Sequence, residues 1–146
     1  MPESAKNNSS RSLVLLCSAN RKAPHPAPAV ELYRSEFFRL GRSYAWTFEP
    51  EELFILSAEH GLVPAEQELL PYPMTMSALG QEGDLHAWGQ LIATQLRQRL
   101  QPERYRLVIL GLRRFVAPLL REFPNAETPL LGMTMPQALN FLRSIQ

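Results

Sequence analysis

Residues 53–62 read LFILSAEHGL, an apolar run that breaks abruptly into small and polar residues before a glycine. This pattern is typical of a buried strand of a parallel sheet that ends in a loop at its carboxyl edge. The same break follows residues 13–17, LVLLC, and residues 107–110, LVIL. Because ligands bind at the carboxyl edge of open α/β sheets, the three breaks predict where a site lies.

The chain of 146 residues, 45% of them apolar, is long enough for one domain with its own core. We expect a disordered polar tail over residues 1–11 and a single α/β domain over residues 12–146. The single cysteine, Cys17, excludes an internal disulfide and suits the reducing cytoplasm, where we expect the protein. No run approaches the ~18 apolar residues of a membrane span, so we expect no membrane partner.

Strand-like and helix-like segments alternate along the chain. Helical spacing and capping residues predict four helices. The first starts near Ala27 or Pro28, and Tyr33, Phe37, Leu40 and Tyr44 form the apolar stripe on one side of it. The second runs from about Asp84 to Leu100, the third runs from about Arg113 to Glu122, and the fourth follows Thr134. Residues 61–77 predict a long loop broken by prolines, and residues 128–131 predict a short strand. Residues 108–110 should be buried. The alternation predicts an α/β fold, a three-layer α/β/α sandwich with a mainly parallel sheet of about four strands.

The strand ends bring reactive and polar side chains to one rim. His60 is the candidate catalytic residue, because an unperturbed imidazole with a pKa of ~6.5 exchanges protons near neutral pH. The alternative is a histidine that only bonds the backbone of its loop. The candidate ligand-binding residues are Cys17, Ser18, Lys22, Ser57, Tyr72, Gly111 and Arg113. For the sulfur of Cys17 we favour the role of a small buried apolar group over that of a reactive thiolate.

Basic residues in two of the loops are candidates for binding an anion. Arg21 and Lys22 follow the first strand, and Arg113 and Arg114 follow the third. A guanidinium group suits phosphate because it donates two parallel hydrogen bonds. No glycine-rich phosphate motif accompanies them. The scattered histidines, the single cysteine and the single aspartate predict no metal site, and we expect no cofactor.

Charge is unevenly distributed along the chain. Residues 43–96 contain eight acidic residues and no Lys or Arg, whereas residues 97–121 contain seven arginines and one acid, Glu103. One interpretation is a face that binds a polyanion. The other, slightly favoured, is a pair of oppositely charged surfaces that interact with each other.

Several short motifs together resemble a known family. They are CS at residues 17–18 with Lys22, APA at 27–29, LYRS at 32–35 with Phe38, ILSAEHGL at 55–62 and PY at 71–72. The chain from about residue 13 onward resembles a poorly characterised family of small bacterial and phage proteins. That family is related to the peroxide-stress YaaA-like proteins and, more distantly, to uracil-DNA-glycosylase-like α/β domains found in tRNA base-exchange enzymes. The resemblance implies a three-layer α/β domain connected with nucleic-acid or nucleotide chemistry.

The expected function is binding of a nucleobase, nucleoside or nucleotide, with glycosidic-bond or base-modification chemistry as its enzymatic version. In this hypothesis His60 is the acid–base group, Ser18, Lys22 and Ser57 hold ribose or phosphate, and Tyr72 stacks on the base. We expect Ser18, Lys22, Ser57 and His60 to share one cleft with Tyr72 or its loop over the entrance. The alternatives are a non-catalytic nucleic-acid-binding or stress-related protein that uses residues Arg97–Arg121, and an interaction module with a vestigial pocket. The sequence does not fix the oligomeric state.

Overall fold

A computed structural model describes residues 11–146 and contains six strands and six α-helices. The strands are β1 (Ser12–Cys17), β2 (Ala27–Pro28), β3 (Pro50–Ser57), β4 (Gly61–Pro64), β5 (Glu68–Leu69) and β6 (Arg106–Leu110). The helices are α1 (Ala29–Leu32), α2 (Glu36–Trp46), α3 (Met76–Glu82), α4 (Leu85–Arg99), α5 (Arg113–Glu122) and α6 (Met135–Ser144). The predicted tail lies outside the described residues, except for Arg11, whose guanidinium pairs with the Glu51 carboxylate.

The main sheet has four strands in the order β4-β3-β1-β6. The central strand, β1, pairs in parallel with both β3 and β6, and β4 pairs antiparallel with β3. The sheet is therefore mainly parallel, as predicted. Because β1 lies between β3 and β6, the carboxyl ends of all three strands meet at one edge of the sheet.

Helices cover both faces of this sheet. On one face, Leu13, Leu15 and Cys17 of β1 pack with α4 and α5. On the other face, Val14 and Leu16 pack in the core with α2, against which α6 lies. Val108, Ile109 and Leu110 of β6 are fully buried between these layers, which confirms the expectation from their apolar run. The predicted three-layer α/β/α sandwich is confirmed.

The helix predicted to run from Ala27 or Pro28 to Tyr44 is in fact broken. Helix α1 ends at Leu32, Tyr33 is extended, and α2 begins after Ser35, whose hydroxyl accepts a hydrogen bond from the Phe38 amide. This break turns the Tyr33 side chain into the core. The buried residues of α2 are therefore Phe38, Gly41 and Ala45, and the predicted stripe was wrong.

Residues 61–77 do not form one long loop, as the sequence suggested. Gly61, with a φ of 72°, opens strand β4, which returns along β3 as a hairpin. Further on, β5 pairs antiparallel with β2, and α3 begins at Met76. The strand predicted at residues 128–131 is a turn, and only Glu127 bridges to β6.

Over residues 11–146 no helix is both long enough and apolar enough to cross a membrane.

Candidate functional site

A cavity of about 330 Å³ lies at the carboxyl edge of the sheet, beyond the ends of β1 and β6. Its volume falls within the range of ~300–1,000 Å³ that is usual for ligand pockets. The lining is largely apolar, with a few polar groups. The residues that line it are Cys17, Ser18, Ala19, Asn20, Arg21, Ser35, Phe37, Met76, Ser77, Leu112, Phe115 and Met135.

The wall of the cavity is built from the first loop and the starts of four helices. Strand β1 supplies Cys17, the loop after it supplies residues 18–21, and the starts of α2, α3, α5 and α6 supply the others. The Asn20 amide fastens the loop to α3, because its nitrogen donates to Ser77 Oγ at 2.8 Å and its oxygen accepts from the Ser77 amide at 3.2 Å. These two hydrogen bonds hold the loop against the start of α3.

Cys17 contributes an apolar surface to this cavity. The side chain is 3% exposed, and burial raises the pKa of the thiol to about 12. The thiol is therefore protonated at neutral pH, which fits the apolar role favoured from the sequence. Gly111, at the end of β6, lies directly against it: a Cβ at Gly111 would be 2.5 Å from Cys17 Sγ. Gly111 is needed for this packing, and it is not among the residues that line the cavity.

Ser18 is the buried polar residue of the cavity wall. Its amide donates to the Leu56 carbonyl of the neighbouring strand at 3.1 Å, which fixes the backbone. The residue is only 7% exposed, and its hydroxyl is enclosed beside the Tyr33 hydroxyl, whose raised pKa it partly offsets. The hydroxyl is therefore part of the packed wall and presents no open surface to the cavity.

Beside the cavity, three hydroxyl groups form a buried cluster. The Tyr72 hydroxyl lies 2.7 Å from Ser57 Oγ and 2.6 Å from the Tyr33 hydroxyl. Ser57 Oγ also accepts hydrogen bonds from the amides of Glu59 and His60, at 3.2 and 3.0 Å. Burial and the bond to Tyr72 raise the pKa of Tyr33, while the hydroxyls of Ser57 and Ser18 oppose the rise. We call Ser57, Tyr33 and Tyr72 the hydroxyl cluster.

Two cationic or titratable side chains flank Tyr72. Lys22 Nζ lies 4.2 Å from the centre of the Tyr72 ring and donates to the Met74 carbonyl at 3.1 Å. Partial burial lowers the pKa of Lys22, and the charge of Glu59 opposes that change. The His60 ring meets Tyr72 edge to face, with 5.0 Å between ring centres. The His60 side chain is 40% exposed and lies 3.8 Å from the Glu59 carboxylate.

The predicted site residues thus fall into two adjoining groups. Lys22, Ser57, His60 and Tyr72 come together around the hydroxyl cluster, whereas Cys17 and Ser18 line the cavity. Tyr72 is 8% exposed and its hydroxyl is engaged, so it anchors its loop and offers no free face for stacking.

The residues that line the cavity differ from the predicted site residues at Arg113 and at several other positions. Arg113 is exposed at the first position of α5 and does not line the cavity, whereas Arg21 does. No sequence pattern indicated Met76 or Met135 as site residues. Met76 lies at the start of α3, a helix that was not predicted, and Met135 lies at the start of α6, far along the chain from β1. Phe37 was expected to face the core and instead lines the cavity.

The arginines of residues 97–121 do not share one surface. Arg106 begins β6 and Arg113 follows its end, and a strand rises ~3.3 Å per residue, so the two lie at opposite edges of the sheet. Two of the arginines have local partners: Arg97 pairs with Glu103 at 3.3 Å, and Arg106 pairs with Glu127. Among the side chains that the structure describes, which do not include that of Glu82, no ion pair joins these arginines to acids of residues 43–96. The interpretation of two mutually pairing surfaces therefore stays a prediction.

A metal site and a second cavity are weaker candidates for the functional site. In the part of the chain that the structure describes, no three His, Cys, Asp or Glu side chains are grouped as metal ligands. A smaller cavity of about 180 Å³ lies at the other end of β6, between residues 102–107 and 122–126. It lies away from the carboxyl edge, where sheets of this kind bind ligands.

Comparison with known proteins identifies the family of the chain but assigns no reaction to it. The family model that matches the chain covers residues 13–144 and is described as a family of unknown function (DUF6884). Because the match spans nearly the whole chain, the protein belongs to this family. No curated protein and no solved structure matched the chain.

Proposed function

We propose that this member of the DUF6884 family binds a nucleobase, nucleoside or nucleotide in the cavity at the carboxyl edge of its sheet. The observation that carries the proposal is a pocket of about 330 Å³ whose wall combines two phenylalanine rings, two methionines and a few polar groups. Few but well-placed polar groups in an apolar wall are usual for sites that bind small molecules.

The aromatic side chains suit a planar base. Phe37 comes from α2 and Phe115 from α5, helices that lie on opposite faces of the sheet. Stacking of a base on an aromatic ring is worth ~1–3 kcal/mol by alanine substitution. Met76 and Met135 complete the apolar wall, and their flexible thioethers adapt to the outline of a ligand.

The resemblance of the motifs to families with nucleotide chemistry supports the same class of ligand. The enzymatic version of the proposal makes His60 the acid–base group for chemistry at a base or a glycosidic bond. It is supported by the exposure of the imidazole and by the nearby Glu59 carboxylate. His60 does not line the cavity, so this version requires a ligand that reaches from the cavity toward the hydroxyl cluster.

Nucleic-acid binding through the arginine region is the second candidate. Several of those arginines are exposed, which favours contact with phosphates. Their distribution over both edges of the sheet and the local pairing of Arg97 and Arg106 argue against a continuous track. We therefore rank it below binding of a small ligand.

The test is a thermal-shift screen of the whole chain with free nucleobases, ribonucleosides and ribonucleotides, followed by calorimetric titration. A ligand that binds only the folded state raises the Tm, and the stabilisation grows with the logarithm of the ligand concentration divided by Kd. We expect at least one of these three classes to raise the Tm. If none does, at millimolar concentration, the proposal is rejected.

Matched variants show whether binding occurs in the cavity. Phe37→Leu and Phe115→Leu keep apolar volume but remove a stacking surface, and each should weaken binding by about tenfold, equal to 1.4 kcal/mol. Phe48→Leu is the control, because Phe48 lies outside the cavity, near Arg106. Equal affinity in all three variants would place the ligand elsewhere.

A further inference from the structure

We propose that Met135 is a modification site, where a hydroperoxide oxidises the thioether reversibly to a sulfoxide and thereby weakens ligand binding in the cavity. The oxidation itself follows from the exposure of this side chain. The effect on binding rests on the proposed function, because it concerns a ligand in the same cavity.

The chain contains the tripeptide Met-Thr-Met twice. Residues 74–76 lead into α3 and residues 133–135 lead into α6, and together they hold every methionine of the chain except Met1. In both tripeptides the threonine is the helix N-cap, and its hydroxyl accepts a hydrogen bond from an amide of the first turn. In both, the second methionine is the first residue of the helix and lines the cavity. The two thioethers therefore have the same local sequence and the same position in a helix.

Met76 and Met135 differ in their exposure to solvent. Met76 is 4% exposed and belongs to the core on one face of the sheet, whereas Met135 is 41% exposed. Met74 and Met133 are partly buried, so Met135 is the most exposed methionine among the residues that the structure describes. A dissolved oxidant has to touch the sulfur in order to react with it. Exposure therefore makes Met135 the methionine of the cavity wall that reacts first.

The cysteine of the cavity wall does not compete with Met135 for the oxidant. Cys17 is 3% exposed, and burial raises the pKa of its thiol to about 12. The thiolate is the form of cysteine that reacts with peroxides, and this thiol is protonated at neutral pH. The exposed thioether of Met135 is therefore the sulfur of the wall that a hydroperoxide attacks.

The reaction transfers one oxygen atom to the sulfur. The sulfur lone pair attacks one oxygen of the hydroperoxide, the O–O bond breaks, and the proton of the attacked oxygen passes to the departing oxygen. The products are methionine sulfoxide and water, or an alcohol from an organic hydroperoxide. The thioether loses two electrons and the hydroperoxide gains two. The change is reversible, because methionine sulfoxide reductases restore the thioether.

Oxidation of Met135 changes the part of the wall that suits a planar base. Phe37 and Phe115 supply the rings of this wall, and Met76 and Met135 complete its apolar surface. A sulfoxide replaces a flexible apolar group by a polar one that water solvates. A base that covers the sulfoxide oxygen removes this water without supplying a hydrogen bond from its ring face, and such a loss opposes binding. A ligand in the cavity should in turn shield Met135 from the oxidant.

The first experiment measures oxidation of the full chain without a ligand. The protein is exposed to hydrogen peroxide at neutral pH, and mass spectrometry of its peptides follows the sulfoxide at each methionine with time. We expect Met135 to react several-fold faster than Met76 in the folded protein. In the urea-unfolded protein the two should react at equal rates, because they lie in identical tripeptides. Equal rates in the folded protein, or faster oxidation of Met76, would overturn the proposal.

The second experiment measures binding before and after peroxide, by calorimetry with the common nucleobases, ribonucleosides and ribonucleotides. We expect binding to be about tenfold weaker after oxidation and to recover after treatment with a methionine sulfoxide reductase. Each variant is compared with itself before and after peroxide. Met135→Leu should lose no affinity on this treatment, because leucine has no sulfur. Met133→Leu is the matched control from the same tripeptide, does not line the cavity, and should show the full loss.

The outcomes separate this inference from the proposed function. If a nucleobase, nucleoside or nucleotide binds the oxidised and the unoxidised protein equally well, control of binding by Met135 is refuted and the proposed function stands. If none of them binds either form, the proposed function fails together with the effect on binding. The oxidation of Met135 is then decided by its rate relative to Met76 alone.

Discussion

The hydroxyl of Tyr72 lies 2.7 Å from Ser57 Oγ, which joins the proline-containing loop to the carboxyl end of β3. Ser57 Oγ accepts hydrogen bonds from two backbone amides, so its own hydrogen is directed to Tyr72. The Tyr72 hydroxyl also bonds to Tyr33, which lies in the core between α1 and α2. One buried polar network therefore ties three separate segments to the edge of the sheet that carries the cavity.

The hydroxyl cluster should contribute to stability. Tyr72→Phe removes the central hydroxyl and leaves that of Tyr33 buried without this partner, so we expect a loss of about 1–3 kcal/mol in the free energy of unfolding. Urea denaturation monitored by fluorescence measures it.

A double-mutant cycle isolates the bond between the two tyrosines. Tyr33→Phe combined with Tyr72→Phe should cost less than the sum of the single changes, because the first change already breaks the shared bond. Tyr44→Phe is the control, since the Tyr44 hydroxyl makes no hydrogen bond to a described residue. Strict additivity would mean that the Tyr33–Tyr72 bond contributes nothing.

The sheet was predictable because its strands are short apolar runs that end sharply. Each run of β1, β3 and β6 is buried by helices on both faces, and such strands need no alternating pattern. The α4 start was equally readable, because Asp84 accepts a hydrogen bond from the Ala87 amide. Both signals lie within a few neighbouring residues, so they are enough to predict single strands and the start of a helix.

The pieces that were missed depend on contacts between distant segments. At the break between α1 and α2, Tyr33 bonds to a residue 39 positions away and forms a β-bridge with Lys22, and no helical pattern contains that information. Strand β4 follows β3 too closely to look like a separate strand, and it is defined only by its pairing. For the site, the strand ends located the rim, but which residues share the cavity depends on four helix starts from across the chain.

Gly111 should be intolerant of a side chain because of Cys17. A Cβ at Gly111 would lie 2.5 Å from Cys17 Sγ, with both residues buried. We expect Gly111→Ala to lower the free energy of unfolding by about 1–3 kcal/mol, the usual cost of overpacking a core. Thermal and urea unfolding of the variant measure the loss.

A second substitution, at Cys17, tests whether contact with the sulfur causes the loss of stability in Gly111→Ala. Adding Cys17→Ala removes the sulfur that the new methyl group would meet, so the double variant should recover part of the stability lost by Gly111→Ala. A double variant that is less stable than the sum of the two single losses would contradict this explanation.

Stability should fall at alkaline pH because of Cys17. The thiol loses its proton near its ordinary pKa of 9.0 in the unfolded chain but only near about 12 in the folded protein. Between these values the unfolded state binds fewer protons, so the free energy of unfolding falls as pH rises, by at most about 1.4 kcal/mol per pH unit. The contribution is complete below pH 9. Tyr33, whose pKa is also raised, adds a fall in the same direction above its ordinary value of 10.0.

Cys17→Ala separates the two groups. Denaturation at a series of pH values from 8 upward should show a shallower decline in this variant than in the unaltered protein, with the Tyr33 part retained. Parallel declines in the two proteins would mean that the thiol is not held protonated by burial.

His60→Ala tests whether the cavity and the hydroxyl cluster form one functional site. The imidazole is 40% exposed, contacts Tyr72 only edge to face, and does not line the cavity. We therefore expect the change to alter the free energy of unfolding by less than about 1 kcal/mol, as is usual for surface positions. A ligand that binds in the cavity should bind His60→Ala with unchanged affinity in calorimetry, whereas it binds Phe115→Leu more weakly. If His60→Ala weakens binding as much as Phe115→Leu does, the ligand extends to His60, and the enzymatic version of the proposal becomes the stronger one.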